Sequence, residues 1–483
     1  MWLLYNKLYD RLYSEIHPAH NRWFYTIKTI DEIITLMTES NNIITQMEQV
    51  ESRVADALAL AKSLGADGAE VAMSRQQGLS VSTRLGDVET VEFTNDGALG
   101  ITVYQQGRKG SASTADLSEN ALKQAVQAAV NIAKYTSVDD CSGLADKEML
   151  AMNPENLDLH HEKVLSTDEA IAIAKECEDT ALAYDKRITN SDGATLACFE
   201  GFKIYGNSHG QLVGYPSSRH SLSCVMIANE GDDMQRDYAY TVNRDFNLLT
   251  APKQIGQEAA QEALSRLHAQ KLKTGKVPVM FRADIANTFF GHFIAAISGG
   301  NLYRKSSFLL DALGKPIFPE FLTIEERPHI KKALASSAFD SEGVMTIDRD
   351  IIKAGSLETY LLTSYSARKL GMKTTGHAGG IHNWLVSANG GDFEQMLKTL
   401  GTGLLVTELM GQGVNVVNGD YSRGAAGFWV ENGEIVYPVS EVTIAGNLLD
   451  MFKNVVAVGS DYDLKGSIKT GSIILGEMQV AGN

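Results

Sequence analysis

Cysteine and proline are scarce in this chain of 483 residues, and no apolar run is long. The four cysteines, Cys141, Cys177, Cys198 and Cys224, form no C-x-x-C pair and no cluster. That excludes a compact disulfide framework and points to reduced, mostly buried thiols in the cytoplasm. No segment approaches the roughly 18 consecutive apolar residues of a membrane helix, so no membrane partner is expected. Basic residues are also in deficit: 43 Lys and Arg against 59 Asp and Glu leave a formal charge of −16. A chain this acidic is a poor match to phosphate backbones, which argues against a nucleic-acid partner. With 44% hydrophobic and 21% charged residues the composition is that of a globular protein, and the length predicts two or three domains.

What the chain has in quantity is glycine, most densely in residues 400–451, where nine occur among short β-type runs. Gly411, Gly413, Gly419, Gly424 and Gly427 suit tight turns or close backbone approach. Phe428 to Val430, then Asn432-Gly433, then Ile435 to Tyr437 predict a hairpin, because Asn-Gly supplies two positive-φ residues.

Taken in order, the apolar positions Val50, Val54, Ala57, Leu58, Ala61 and Leu64 predict a helix stopped at Gly65. Residues 68–114 alternate with period two and predict a meander of four short strands. Asp116 with Glu119 predicts a capped helix over 117–135, its stripe formed by Ala121, Leu122, Ala125, Val126, Ala129 and Ile132. Ser166 with Glu169 predicts a second capped helix to about Asp185. A β-rich stretch from Ile188 to about Phe246 follows, then a helix over 251–271. The histidines of this region, His160, His161, His209 and His220, lack ligand-like spacing. The basic segment Lys271 to Pro278, with Gly and Pro, is the expected domain boundary. After it come a strand, VPVMF, and a helix from Asp284 as N-cap to Gly299-Gly300. The pattern predicts an α+β fold: an extension over 1–48, an α+β domain over 49–150, a β-rich central region over 151–272 and a β-rich C-terminal domain over 273–483.

The run GDYSRGAAGFWVENGEI, with ELMGQGV before it and VTIAGN after it, resembles the C-terminal signature of the TldD/PmbA family of two-component peptidases. So do VSTRLGDVETVEFTNDGALGITVYQQGRKGSAS, KIYGNSHG, YRKSSFLLDALGK and LLTSYSARKLGMKTTGHAGGIHNW, which are similar to the PmbA branch, also called TldE. The resemblance begins near residue 45; residues 1–36 do not share it, and Met37 offers a natural start that would make them dispensable. It implies a heterodimer with a TldD-type subunit, a homodimer being open to the chain alone, and zinc held in the partner rather than here. It also links such complexes to unfolded substrates, leader peptides of modified peptide antibiotics, an antitoxin, and indirect modulation of DNA gyrase.

The TldD branch carries H-E-x-x-x-H on the helix after the first strand of its C-terminal domain. Laid on that pattern, this chain has Gly291 at the first histidine, His292 at the glutamate and Ala296 at the second histidine. A catalytic zinc takes about three protein ligands plus water, and glycine and alanine side chains supply none. The cysteine the pattern places near the C-terminus is missing too, since none follows Cys224. A rival metal pair is His377 and His382 in TGHAGGIHNW, a segment with no acidic residue to act as base. The acidic run Asp340, Glu342, Asp348 and Asp350 reads as a solvated turn. Ser422 is not in a G-x-S-x-G elbow, which argues against a serine hydrolase. No catalytic residue or metal is therefore assigned to this chain, and Phe428, Trp429 and Tyr437 are the expected interface anchors. The alternative is a metalloprotease in its own right with an unorthodox histidine site at His292, His377 or His382.

Overall fold

The computed structural model describes residues 42–482, so the reading of residues 1–36 as dispensable lies outside it. Helix α1 (Ile43–Ser63) buries Val50, Val54, Ala57 and Ala61 along one stripe, as its spacing predicts. Three strands follow rather than four: β1 (Gly68–Arg84), β2 (Asp87–Gln105) and β3 (Arg108–Thr114). The first two predicted runs merge into β1 across Gly78 and the other two into β2, while residues 108–114 add β3. A Cβ at Gly78 would stand 2.1 Å from the Cys198 carbonyl oxygen, so the glycine admits the neighbouring strand and β1 runs on through it.

Helix α2 (Glu119–Tyr135) is capped by Ser118, whose side chain accepts from the Ala121 N–H; Asp116 instead accepts from the Ser118 N–H. Its buried face includes Val130 and Ala133, while Ile132 is exposed. Helix α3 (Thr167–Leu182) opens with the expected Ser166–Glu169 capping box. Strands β4 (Ile188–Asn207), β5 (Leu212–Glu230) and β6 (Asp233–Asn243) then join the first three in one sheet, ordered β3-β2-β1-β4-β5-β6. Residues from both 49–150 and 151–272 thus share a single antiparallel sheet. Helix α4 (Pro252–Ser265), shorter than its predicted span, packs with α3 through Ala170, Ala174, Cys177, Ala259 and Ala263 against Leu196, Leu222 and Met226 of β4 and β5. All four cysteines are free thiols, and only Cys141 is not buried.

The presumed linker is shorter than expected. Gly275 to Pro278 already belongs to β7 (Gly275–Phe281), which leads into α5 (Ala283–Ile297). Arg282, not Asp284, occupies the N-cap, without a side-chain cap; Asp284 ion-pairs with Arg282 at 2.8 Å. A short helix α6 (Gly299–Tyr303) precedes β8 (Ile324–Glu326), β9 (Arg349–Lys353) and β10 (Ser356–Leu357). Next come α7 (Ser364–Lys369), β11 (Trp384–Val386), α8 (Phe393–Leu400) and β12 (Gly403–Met410). The predicted hairpin is formed by β13 (Asp420–Glu431) and β14 (Glu434–Asn447), turning on Asn432 (φ 53°) and Gly433 (φ 79°). Helix α9 (Leu448–Lys453), β15 (Val455–Val458), β16 (Ile468–Lys469) and β17 (Ile473–Ala481) complete the chain.

The large C-terminal sheet runs β14-β13-β12-β7-β17-β15, and a further pairing of β14 with β17 turns it back on itself. A smaller sheet, β10-β9-β8-β11-β16, lies in the same domain. Helix α5 fills the space between them. Its Phe289, Phe290 and Phe293 are buried among Phe318, Trp384 and Phe452, with the Phe289 and Phe452 rings edge-on at 5.0 Å. The expected α+β class is the class observed.

Candidate functional site

Because α5 follows β7 after one residue, its register is tied to the sheet, and the sheet places the three positions aligned with H-E-x-x-x-H. Ala296 faces inward and is fully buried in the aromatic core. Gly291 faces open space, where a Cβ would meet nothing within 4 Å. His292 lies edge-on to Tyr421 of β13, ring centroids 5.7 Å apart, and its buried Nε2 has no hydrogen-bond partner. Burial, reinforced by the Arg423 guanidinium, holds the His292 pKa below its ordinary value, so the imidazole is neutral. The donor set is one imidazole beside a fixed cation. That does not fit a catalytic zinc, whose ligands must exceed one and whose charge Arg423 would oppose.

His377 and His382 are brought together with an acid the local sequence does not contain. Glu326, the last residue of β8, pairs in register with Trp384 of β11, which carries its carboxylate to the buried His377 and His382 of the TGHAGGIHNW loop. The His377 Nε2 lies 2.9 Å from Glu326 Oε2, while Oε1 accepts from the His382 backbone N–H at 2.9 Å and from Trp384 Nε1 at 3.2 Å. Arg349 adds a charge at 3.5 Å. Burial alone would raise the Glu326 pKa, but these donors, His377 foremost, outweigh it and hold the carboxyl lowered. The His377 Nδ1 contacts Thr375 Oγ1 at 2.8 Å, so both of its ring nitrogens are engaged. His382 donates its Nε2–H to the Gly376 carbonyl at 3.2 Å, and burial lowers its pKa. The two rings stand 6.1 Å apart. Their lone pairs do not converge, and among the described residues no three His, Cys, Asp or Glu side chains meet around a point suited to an ion.

The acidic run is not a solvated turn throughout. Asp340 is buried and accepts the N–H groups of Glu342, Val344 and Ala378 at 2.8, 3.0 and 3.0 Å. Burial nevertheless pushes its pKa up to about 7. In the central region His160 bonds Glu200 at 2.8 Å, and the buried His220 bonds the His161 carbonyl at 3.1 Å.

Of the three aromatic residues singled out in the hairpin, Phe428 is spent on the core of its own domain, among Met280, Met396, Leu397 and Leu405. Trp429 and Tyr437 sit opposite one another in register, partly buried against the main core of the domain, with the Trp429 Nε1 donating to Glu431 at 2.9 Å. Ile435 and Val436, next to the hairpin turn, are exposed apolar residues. Glu326, Tyr421 and Arg423 escaped notice in the sequence. The last two had a signal: two residues apart on a strand, they share a face.

Three family models match the chain in order: PmbA/TldA metallopeptidase domain 1 over residues 69–133, the central domain over 160–267 and the C-terminal domain over 274–482. Metalloprotease PmbA of Escherichia coli O157:H7 is 58% identical over 450 residues, covering 92% of this chain and 100% of that protein. This chain belongs to the PmbA/TldD metallopeptidase family. A PmbA homolog of Haemophilus influenzae is 55% identical over 91% of this chain and 97% of its own length. Among solved PmbA/TldD-like structures, a candidate modulator of DNA gyrase from Bacteroides thetaiotaomicron superposes with a TM-score of 0.85 at 29% identity, covering 89% of this chain and 98% of that one. TldE from Thermococcus kodakarensis shares the fold, with a TM-score of 0.76 at 21% identity over 89% of this chain and 100% of that one. The resemblance to the PmbA branch read from the glycine-rich signatures is borne out. No described helix is long and apolar enough to cross a membrane.

Proposed function

We propose that this chain is the non-hydrolysing subunit of a two-component zinc peptidase, completing the chamber of a TldD-type partner that cleaves unfolded peptides. The observation that carries the reading is the donor set of α5, where Gly291 and Ala296 leave His292 without a second ligand. Relatives bearing both subunit names support the pairing: a TldE shares the fold, and a TldD homolog from Buchnera aphidicola is 21% identical over 77% of this chain. The exposed Ile435 and Val436, with the parts of Trp429 and Tyr437 that the core leaves uncovered, are the surface we assign to association.

The test has two parts. Metal analysis of the isolated chain after dialysis is expected to find no stoichiometric zinc; one firmly held zinc per chain overturns the reading. Cleavage of an unstructured peptide is then measured with the TldD-type partner. Activity is expected only in the mixture, none with a partner lacking its zinc histidines, and little change with His292→Ala in this chain.

A second reading, a metalloprotease in its own right, draws on the proximity of His377, His382 and Glu326. Against it, both nitrogens of His377 are already bonded. Loss of activity in a His377→Ala complex that still assembles would favour this second reading.

A further inference from the structure

A cavity of ≈ 300 Å³ opens between β6, α4, the first turns of α5, β12 and β13. It is lined by both signs of charge, but the two signs are not equally satisfied. Asp237 and Glu408 pair with Arg266, and Glu262 and Asp284 pair with Arg282. The remaining acid, Glu258, is exposed on α4. Two lining cations, Arg423 and Lys465, have no carboxylate partner among the described residues. Arg423 spends Nη2 on the Leu409 carbonyl at 3.3 Å, while its Nε is buried and unbonded. Lys465 holds its ammonium 4.4 Å above the Tyr240 ring.

Thr288 lines the cavity, and His292 follows one turn later on the same face of α5, with its buried Nε2 unbonded. Tyr421, against which His292 packs, is two residues before Arg423 on β13, so strand alternation turns both side chains to that side. A buried guanidinium N–H left dry and unpaired is unfavourable, and an external acceptor bound to Arg423 would remove part of that cost.

We infer that this cavity binds a carboxylate, with Arg423 and Lys465 supplying the charge. A carboxylate matches the planar guanidinium and accepts from several N–H groups at once, whereas a metal cation would be repelled. The volume admits a chain terminus or a small organic acid rather than a folded partner. The inference concerns this chain alone and does not depend on the two-component reading.

The experiment uses the full chain without any partner. Fluorescence anisotropy follows an N-terminally labelled Gly-Ala-Leu tripeptide as the free acid and as the C-terminal amide, and thermal melts are run with sodium acetate against sodium chloride. The acid is expected to bind about tenfold or more tightly than the amide. Arg423→Gln is expected to erase that preference, Arg423→Lys to restore part of it, and Lys465→Gln to weaken it. Acid-selective peptide binding assigns the source to a peptide terminus. Stabilisation by acetate that Arg423→Gln abolishes, without peptide binding, assigns it to a small organic acid. Equal binding of acid and amide, or response to neither ligand at about 10 mM, overturns the proposal. So does an acid preference that survives in Arg423→Gln. Should Arg423→Gln fail to fold by circular dichroism, the wild-type acid and amide titrations and Lys465→Gln decide the matter.

Discussion

His377 and His292 are both half or more buried imidazoles in one domain, yet their surroundings assign them opposite roles. His377 holds Glu326, a carboxylate with 1% exposed side chain that also draws on His382 N–H, Trp384 Nε1 and Arg349. Removing one partner of a buried pair leaves the other charge uncompensated and costs about 3–5 kcal/mol. His292 has no bond at Nε2 to lose, so its truncation forfeits packing against Tyr421 and little else. In urea denaturation, His377→Ala is expected to lower the unfolding free energy by about 3–5 kcal/mol, and His292→Ala by less than half of that. Equal losses would show that the Glu326 network is not the anchor described. The network was not legible in the sequence because Glu326 lies 51 residues before His377 and reaches it only through the β8–β11 pairing. Gly291 and Ala296 were picked out by the resemblance to the TldD-type pattern, not by periodicity or spacing.

At the scale of elements, glycines carry different duties that their spacing does not reveal. Asn432-Gly433 declared a primed turn, because two positive-φ residues in sequence have few other uses. Gly78 separates two of the predicted short runs and is a point of close approach between strands, a distinction made by Cys198, which is remote in sequence. Capping shows the same division: Ser166 with Glu169 is a local device and was legible, whereas α5 begins at Arg282 because β7 delivers the chain there. The turn glycines can be ranked. Gly231 (φ 64°) turns in open space, so Gly231→Ala is expected to cost about 1 kcal/mol of left-handed strain. Gly433 (φ 79°) adds crowding, with a Cβ only 2.9 Å from the Lys398 Cα. Gly433→Ala should therefore lower stability by more, about 2–3 kcal/mol, as backbone must move in addition. Thermal melts of the two variants check the order, and the reverse order would refute the close approach of α8 to the hairpin.

For the whole molecule, buried histidines on both sides of the β7 boundary tie stability to pH. His220 in β5, His292 in α5 and His382 in the loop before β11 all have pKa values lowered, burial being the largest cause in each. Unfolded histidine titrates near 6.5. A depressed folded pKa means the unfolded chain takes up protons first, so the stability from burying neutral imidazoles is present above about pH 6.5 and is lost as pH falls below it. Asp340 works in the opposite sense: with its pKa pushed up to about 7 from an unfolded value near 3.9, its favourable contribution is present below about pH 4 and lost towards pH 7. The two trends overlap between about pH 4 and 7, so the slope of the wild-type curve alone does not separate them. His292 does, because its Nε2 makes no hydrogen bond whose loss would confuse the comparison. Melting temperatures of wild type and His292→Gln, taken from pH 8 to pH 5 at constant ionic strength, are expected to run parallel above about pH 7 and to converge or cross below about 6.5, the wild type falling faster. Parallel curves throughout would mean that His292 titrates as it does in the unfolded chain, and that neither its burial nor the Arg423 charge lowers its pKa.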